Sequence, residues 1–580
     1  MIVIAIIHLK LKRKLKINRN IMIAKQLIEP KSIVVVGGSD DIHKPGGAVL
    51  RNLQDGNFKG SLYVVNPKMD EVQGITACRD VKDLPEVDCA ILAIAAKFCP
   101  STVEVLAKQK NTKAFIILSA GFHEENEEGA KLERQIVETI NSVGGSLIGP
   151  NCIGVLTNHY SGVFTSPIPE LNPQGVDLIS GSGATALFIM DSGMQKGIKF
   201  NSMYSVGNSA QLGVEEILEY MDESFDPKMS SRVKLLYVES IEKPEKLLKH
   251  ASSLIRKGCR IAAVKSGGSA AGSRAASSHT GALASSDVAV EALFRKAGIV
   301  RCNGRDELMT VAGIFMHPEM KGRNMAVVTH AGGPAVMLTD ALSNGGMDVP
   351  HIEGEKAQEL LVKLFAGSSV GNPIDFLATG TAEQLGYILD ACDRDFDNID
   401  GMAVIFGSPG LFPVFDVYNV LDEKMKISKK PIFPIFPSSK IVKDEIAEFV
   451  SKGRVYFPDE VLFGNALCKI YKTPAPQPEH FEMPDMDVKK IREVVDNAQN
   501  GYLSPDEIHV LLDAAGVARA KEGVSDNEEE IVKMAKEIGF PLVMKVVGPI
   551  HKSDVGGVVL NVSDEETVRR EFKRMMQIKD

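Results

Sequence analysis

The chain has 580 residues, enough for about three to five domains. Its 44% hydrophobic and 6% aromatic content fits an α/β protein and excludes collagen-like, coiled-coil and disordered classes. A net charge of −9 argues against a nucleic-acid binder, which would carry a basic stripe.

Residues 1 to 21, MIVIAIIHLKLKRKLKINRNI, hold a short apolar run with basic residues after it. A secretory signal places its charges first, and a membrane span needs more than twice this apolar length. Met22 opens a more conventional start, MIAKQLIEPKSIVVVGGS, so the preceding residues read as a mis-assigned upstream start. A membrane-surface helix is the alternative.

From Ser32 onward short β-branched runs alternate with helix-like stretches: SIVVVGG, AVLRNLQDG, SLYVVNP, AILAIA, AFIILSAGF and SLIGPN. That grammar predicts a parallel sheet wound on both faces, with ligand at the carboxyl ends of its strands. It restarts at VDLISGSGATALFIMD, running through VKLLYVESIE and RIAAVKSGG, and again at NMAVVTHAGGPAVMLTDAL, running through GMAVIFGSPG and KKPIFPIF. Three α/β units are therefore expected, each burying its own core. The second and third open alike, a weak internal repeat. After Lys472 the segment TPAPQPEHFEMPDMD reads as a Pro-rich linker. Beyond it SPDEIHVLLDAAG predicts a capped helix and FPLVMKVV a buried strand carrying a lysine.

The eight cysteines, Cys78, Cys89, Cys99, Cys152, Cys259, Cys302, Cys392 and Cys468, show no CxxC spacing and no histidine at metal-ligand distance. Free thiols in a reducing cytoplasm are expected.

Gly37, Gly38 and Ser39 close the first strand as a dinucleotide turn would, without a clean GxGxxG. An NAD enzyme would end the second strand on an acid; here Asn66, Pro67 and Lys68 stand there. A lysine suits a phosphorylated ribose, as in NADP or coenzyme A, and the absence of a hydride-transfer motif favours coenzyme A. SGSGA, with Ser182 and Gly183, and HAGGPA, with Gly332 and Gly333, each place small residues where a strand meets a helix, a site for an anion such as phosphate.

Seventeen of the 21 residues from Ser266 to Ser286 are Gly, Ala or Ser, with His279 among them. Such a run can swing, and a lone imidazole on it can carry a phosphoryl group. A phosphohistidine needs its other ring nitrogen held by an acceptor, and Glu239, at the end of VKLLYVE, is the expected one.

Together these residues resemble the NDP-forming acyl-CoA synthetases, relatives of succinyl-CoA synthetase, and most closely the ADP-forming acetate–CoA ligases. VVGGS, VVNPK, GPNCIGV, GNSAQLGVEEILEY, the SSHTGA run, HAGGPAV, GNPIDF and HKSDVGGV follow that family's order. The resemblance implies a Rossmann-like CoA-binding domain over 22–150, flavodoxin-like doubly wound domains over 151–316 and 317–472, a linker over 473–490 and the start of an ATP-grasp domain over 491–580. It implies that His279 is phosphorylated, that Glu239 orients it, that Lys545 contacts nucleotide phosphates and that His551 relays the phosphoryl group. The carboxylates that hold Mg²⁺ in an ATP-grasp fold are expected beyond residue 580.

The implied reaction is the reversible conversion of acyl-CoA, ADP and phosphate into free acid, CoA and ATP through an acyl phosphate and a phosphohistidine, with acetate as the default acid. A cytoplasmic homo-oligomer, a dimer, is expected, with no membrane or nucleic-acid partner. The rival readings are a CoA-sensing regulatory protein, the ligase-like part of a protein acetyltransferase, and an NADP-dependent dehydrogenase.

Overall fold

The β-branched runs form strands because stiff side chains suit a pleated surface covered on both faces. The computed structural model describes residues 23–56, 58–269, 271–272, 274, 286–408, 410, 413–478, 485–498, 501, 503–547 and 553–578. The described residues fall into two compact units, one ending at Gln477 and one beginning at Pro478. The upstream segment and its alternative start at Met22 lie outside the described residues.

The larger unit contains three sheets. In the first, β1 (Ser32–Val36), β2 (Ser61–Val65), β3 (Glu71–Val72), β4 (Ile75–Cys78), β5 (Cys89–Leu92), β6 (Ala114–Ile117) and β7 (Ser146–Ile148) lie in the order β3-β4-β2-β1-β5-β6-β7. All its pairings are parallel except the β3–β4 hairpin. The second comprises β8 (Gly154–Leu156), β9 (Ser161–Val163), β10 (Leu171–Ser180), β11 (Phe200–Ser205), β12 (Val233–Val238), β13 (Arg260–Lys265) and β14 (Val300–Cys302), in the order β14-β13-β12-β10-β11-β8-β9. Its last two strands run antiparallel, a hairpin that the sequence pattern does not announce. The third has β15 (Met325–Thr329), β16 (Ile374–Asp375), β17 (Gly401–Ile405) and β18 (Ile432–Ile435) in the order β16-β15-β17-β18, all parallel.

The three units do not bury three separate cores. One cluster joins Val176, Phe200 and Leu235 of the second sheet to Val327, Ile405 and Phe433 of the third. Another joins Ile33, Val35 and Ile91 of the first sheet to Ile179, Leu236 and Val238 of the second. A doubly wound sheet has two apolar faces, and here one face of each outer sheet is completed against the middle one.

The smaller unit has helices at Val488–Asn497, Pro505–Ala514, Glu528–Ile538 and Glu565–Met575 around an antiparallel pair, β19 (Leu542–Lys545) and β20 (Val558–Val562). The first helix starts inside the segment read as linker. Ser504 and Glu507 form the expected capping box of the second. FPLVMKVV is not buried: Val543 is 47% and Val547 56% exposed. Among the described residues β19 has a single neighbour, and the small core of Val532, Ala535, Val562 and Val568 covers one face of the pair. No helix among the described residues is long and apolar enough to cross a membrane.

Candidate functional site

The turn after β1 is built for close approach. Gly37 has φ +87°, and a Cβ there would stand 2.5 Å from the Ala93 carbonyl oxygen, while one on Gly38 would stand 2.3 Å from Val64 Cγ2. Asn66 donates through Nδ2 to the Gly38 carbonyl at 2.9 Å, and its Oδ1 accepts from the Lys68 N–H at 2.9 Å. Its amide therefore braces the turn against the end of β2. Ser39 accepts through its hydroxyl from Asp41 N–H at 3.1 Å and through its carbonyl from Gln73 Nε2 at 2.7 Å. Pro67 and Lys68 are exposed. Arg79, absent from the sequence reading, donates to the Pro67 carbonyl at 3.0 Å and adds a second cation to this corner.

The two turns expected to hold an anion share one construction. Ser180 ends β10; its hydroxyl donates to the Ser182 carbonyl at 2.7 Å and accepts from the Ser182 N–H at 3.2 Å. Thr329 ends β15 and does the same with Ala331, at 2.8 and 2.9 Å. Each brace aims the first turn of a helix, Gly183–Gln195 or Gly332–Asn344. Ser182 caps the first, accepting from Thr185 N–H at 3.4 Å, so part of its hydroxyl's capacity is spent on the helix. The second has no side-chain cap, and Gly332 and Gly333 are exposed at its start, where unbonded N–H groups attract anions. Gly183 is needed for packing, since a Cβ there would lie 2.5 Å from Ile153 Cγ2.

Glu239 follows β12 directly and is half-buried, with the Tyr237 hydroxyl 3.5 Å from its Oε1. Because Ser180 pairs with Tyr237, this carboxylate stands at the same sheet edge as the Ser180 turn. Lys265, which the sequence reading passed over, ends β13 opposite Val238 and is only 6% exposed. Burial pulls its ammonium below the usual lysine pKa. Its signal was present in the sequence, a strand-terminal lysine before the small-residue run.

The edges of the first and second sheets meet through a polar junction. Asn151 N–H donates to Ser119 carbonyl at 2.9 Å, Asn208 N–H to Pro150 carbonyl at 2.9 Å, and Ile153 N–H to Ser205 Oγ at 3.2 Å. The Asn208 amide donates to Glu124, whose Oε1 also accepts from Gly121 N–H at 2.7 Å. Burial pushes the Glu124 carboxyl up, but these bonds outweigh it and hold its pKa below the usual range.

Lys545 is exposed at the end of β19 in the other unit. His279 and His551 lie outside the described residues. The structure thus brings Glu239, Ser182 and Gly183 to one edge of the second sheet, and Gly37, Gly38, Ser39 and Lys68 to the corresponding edge of the first.

These features define an α/β protein with glycine turns at successive sheet edges. A CoA binding domain model matches residues 31–158, a succinyl-CoA ligase like flavodoxin domain residues 173–315, and an ATP-grasp domain residues 494–579. The ADP-forming acetate–CoA ligase I of Archaeoglobus fulgidus is 32% identical over 567 residues, covering 96% of this chain and 80% of that protein. The ADP-forming 4-hydroxybutyrate–CoA ligase of Nitrosopumilus maritimus is 29% identical over 570 residues, covering 95% and 80%. Among solved structures, the dinucleotide forming acetyl-coenzyme A synthetase 1 of Ca. Korarchaeum cryptofilum, in complex with phosphate and ADP, aligns with a TM-score of 0.69 at 26% identity, over 77% of this chain and 96% of that one. The chain belongs to the family of ADP-forming acyl-CoA synthetases, and it is a CoA ligase.

Proposed function

We propose that the protein interconverts acetyl-CoA, ADP and phosphate with acetate, CoA and ATP, using His279 as the phosphoryl carrier. The observation that carries this reading is the repeated turn, Ser180 with Ser182 and Thr329 with Ala331, which braces two helix starts, each of the kind that binds phosphate. CoA lies along the first sheet edge with its ribose phosphate at Lys68. Phosphate, held by Ser182, Gly183, Gly332 and Gly333, attacks the thioester carbonyl, and CoA leaves as the thiol. His279 takes the phosphoryl group from the acyl phosphate while Glu239 holds its other ring nitrogen. Acetate leaves, and His551 passes the group on to ADP beside Lys545. Each step depends on positioning and charge neutralisation.

Magnesium belongs to the nucleotide step. Among the described residues the only gathering of three ligating side chains is His123, Glu124 and Glu133, in the unit without Lys545, so no step is assigned to the ion. The eight free cysteines fit a reducing, cytoplasmic setting, and a dimer is part of the same reading.

Acetate is preferred from the acetate–CoA ligase relatives, with 4-hydroxybutyrate the competing acid. The intact protein, given ATP, CoA and each acid in turn, should release ADP and phosphate with acyl-CoA, and acetate should give the highest kcat/KM. Release of AMP and pyrophosphate would refute the reaction type, and a preference for 4-hydroxybutyrate would refute the assignment of the acid.

A further inference from the structure

A cavity of about 400 Å³ lies at the amino ends of β13 and β14, away from the Ser180 turn and Glu239. Buried Ile261, Val300, Phe315, Phe433 and Leu467 line it, and exposed Pro474 and Ala475 complete its wall. Its size falls in the range of small-molecule sites, about 300–1,000 Å³. Arg260, also in the lining, opens β13 opposite Val233, whereas Lys265 closes that strand opposite Val238. The length of β13 therefore puts about 17 Å between this cation and the sheet edge that carries Glu239. An α/β sheet does its chemistry at the carboxyl ends of its strands, which sets the cavity apart from the reaction.

The lining defines what fits. Arg260 is 29% exposed at the side chain, with the Phe315 ring centre 5.8 Å from its guanidinium carbon. Its Nη1 reaches the carbonyls of Phe315 and His317 only at 3.3 Å, and Nη2 stands 3.8 Å from the Glu319 carboxylate, beyond hydrogen-bonding distance. Glu319 is itself 79% exposed, so water can take it over when a closer acceptor arrives. An anionic head in the cavity would make the short, charge-assisted bond that Glu319 does not. Tyr471 and Thr473 already donate within the chain, to the carbonyls of Met320 and Lys469. Recognition thus falls to one cation at the edge of an apolar body.

We propose that this cavity binds an apolar monocarboxylate, an aryl- or alkyl-carboxylic acid. Arg260 takes the carboxylate, and the apolar body lies against Phe433, Leu467 and the strap of residues 473–476. That strap gives the site a consequence. Just past it, Gln477 N–H donates to the Lys296 carbonyl at 3.1 Å, and Arg256 Nη1 donates to the Gln477 carbonyl at 3.0 Å. Gly298, at φ +81°, leaves room for Pro476, since a Cβ there would stand 2.9 Å from Pro476 Cδ. Pro474 and Pro476 have no N–H to give, so apolar contact is what an occupant adds to the strap. The chain then passes at Pro478 into the second unit. An occupied cavity holds the segment that leads there.

The probes are 4-phenylbutyrate and its neutral amide, 4-phenylbutanamide, titrated calorimetrically into the full chain. The acid should bind one to one and slow tryptic cleavage after the exposed Lys472 several-fold. Ala475→Trp, at an exposed position of the strap, fills the cavity and should abolish both effects, with CoA titration as the check that the fold is intact. Arg260→Gln should weaken the acid about tenfold or more and the amide little. Because Ala475 is exposed, its variant remains decisive even if Arg260→Gln, which loses two carbonyl contacts, fails to fold. Absence of acid binding would overturn the proposal, as would binding that Ala475→Trp leaves intact. Equal weakening of acid and amide by Arg260→Gln would do the same, and so would bound acid that leaves cleavage after Lys472 unslowed.

Discussion

The Thr329 hydroxyl closes a two-way bond with Ala331, accepting from its N–H at 2.9 Å and donating to its carbonyl at 2.8 Å. Thr329 is fully buried, so no water can replace it. Thr329→Val keeps the shape and removes both bonds. Thermal or urea unfolding should show a loss of about 1–2 kcal/mol. The KM for phosphate should rise several-fold because the helix at Gly332 is no longer aimed. An unchanged KM would separate this turn from the phosphate site.

Lys68 is exposed beyond the brace that Asn66 forms with Gly38, so it can be altered without disturbing the turn. Calorimetric titration of Lys68→Glu should show CoA weakened about tenfold more than dephospho-CoA, a difference of roughly 1.4 kcal/mol. Asn66→Ala should weaken both ligands alike, because it loosens the turn that they share. Equal weakening of both ligands by Lys68→Glu would remove Lys68 from the ribose phosphate.

His317 titrates out of reach of the chemistry. Its Nδ1–H donates to the Gly313 carbonyl at 2.8 Å, its buried Nε2 has no hydrogen-bond partner among the described residues, and Phe433 and Phe457 pack on the ring. Burial drops its pKa from 6.5 to about 4. The unfolded chain therefore binds more protons between these values, so stability is present above pH 6.5 and is lost as pH falls toward 4. The loss at pH 5 is about 2 kcal/mol. Urea midpoints at pH 7 and pH 5 should diverge by less in His317→Phe than in wild type. The same divergence in both proteins would assign the acid sensitivity elsewhere.

The strands and both strand-to-helix glycine turns were legible because β-branched runs and glycine punctuation are local signals. Glu239 was legible too, as a strand-end carboxylate. The shared cores were not, since a doubly apolar strand reads the same whether its second face meets its own helices or another sheet. β19 was misread for the same reason: LVMK carries no record of having a single neighbour. The junction was missed because its partners are far apart in the chain, Glu124 and Asn208 being 84 positions apart. His123 and Glu133, ten positions apart, are joined by a turn and a helix start that the sequence pattern left undefined.

The central claim is that His279 carries the phosphoryl group. The most direct measurement incubates the protein with acetyl-CoA and radiolabelled inorganic phosphate, without nucleotide, and follows label retained on the chain. An acid-labile, base-stable label should appear in wild type, fall in yield or lifetime in Glu239→Gln and vanish in His279→Ala. Label of the same amount in His279→Ala would contradict the account.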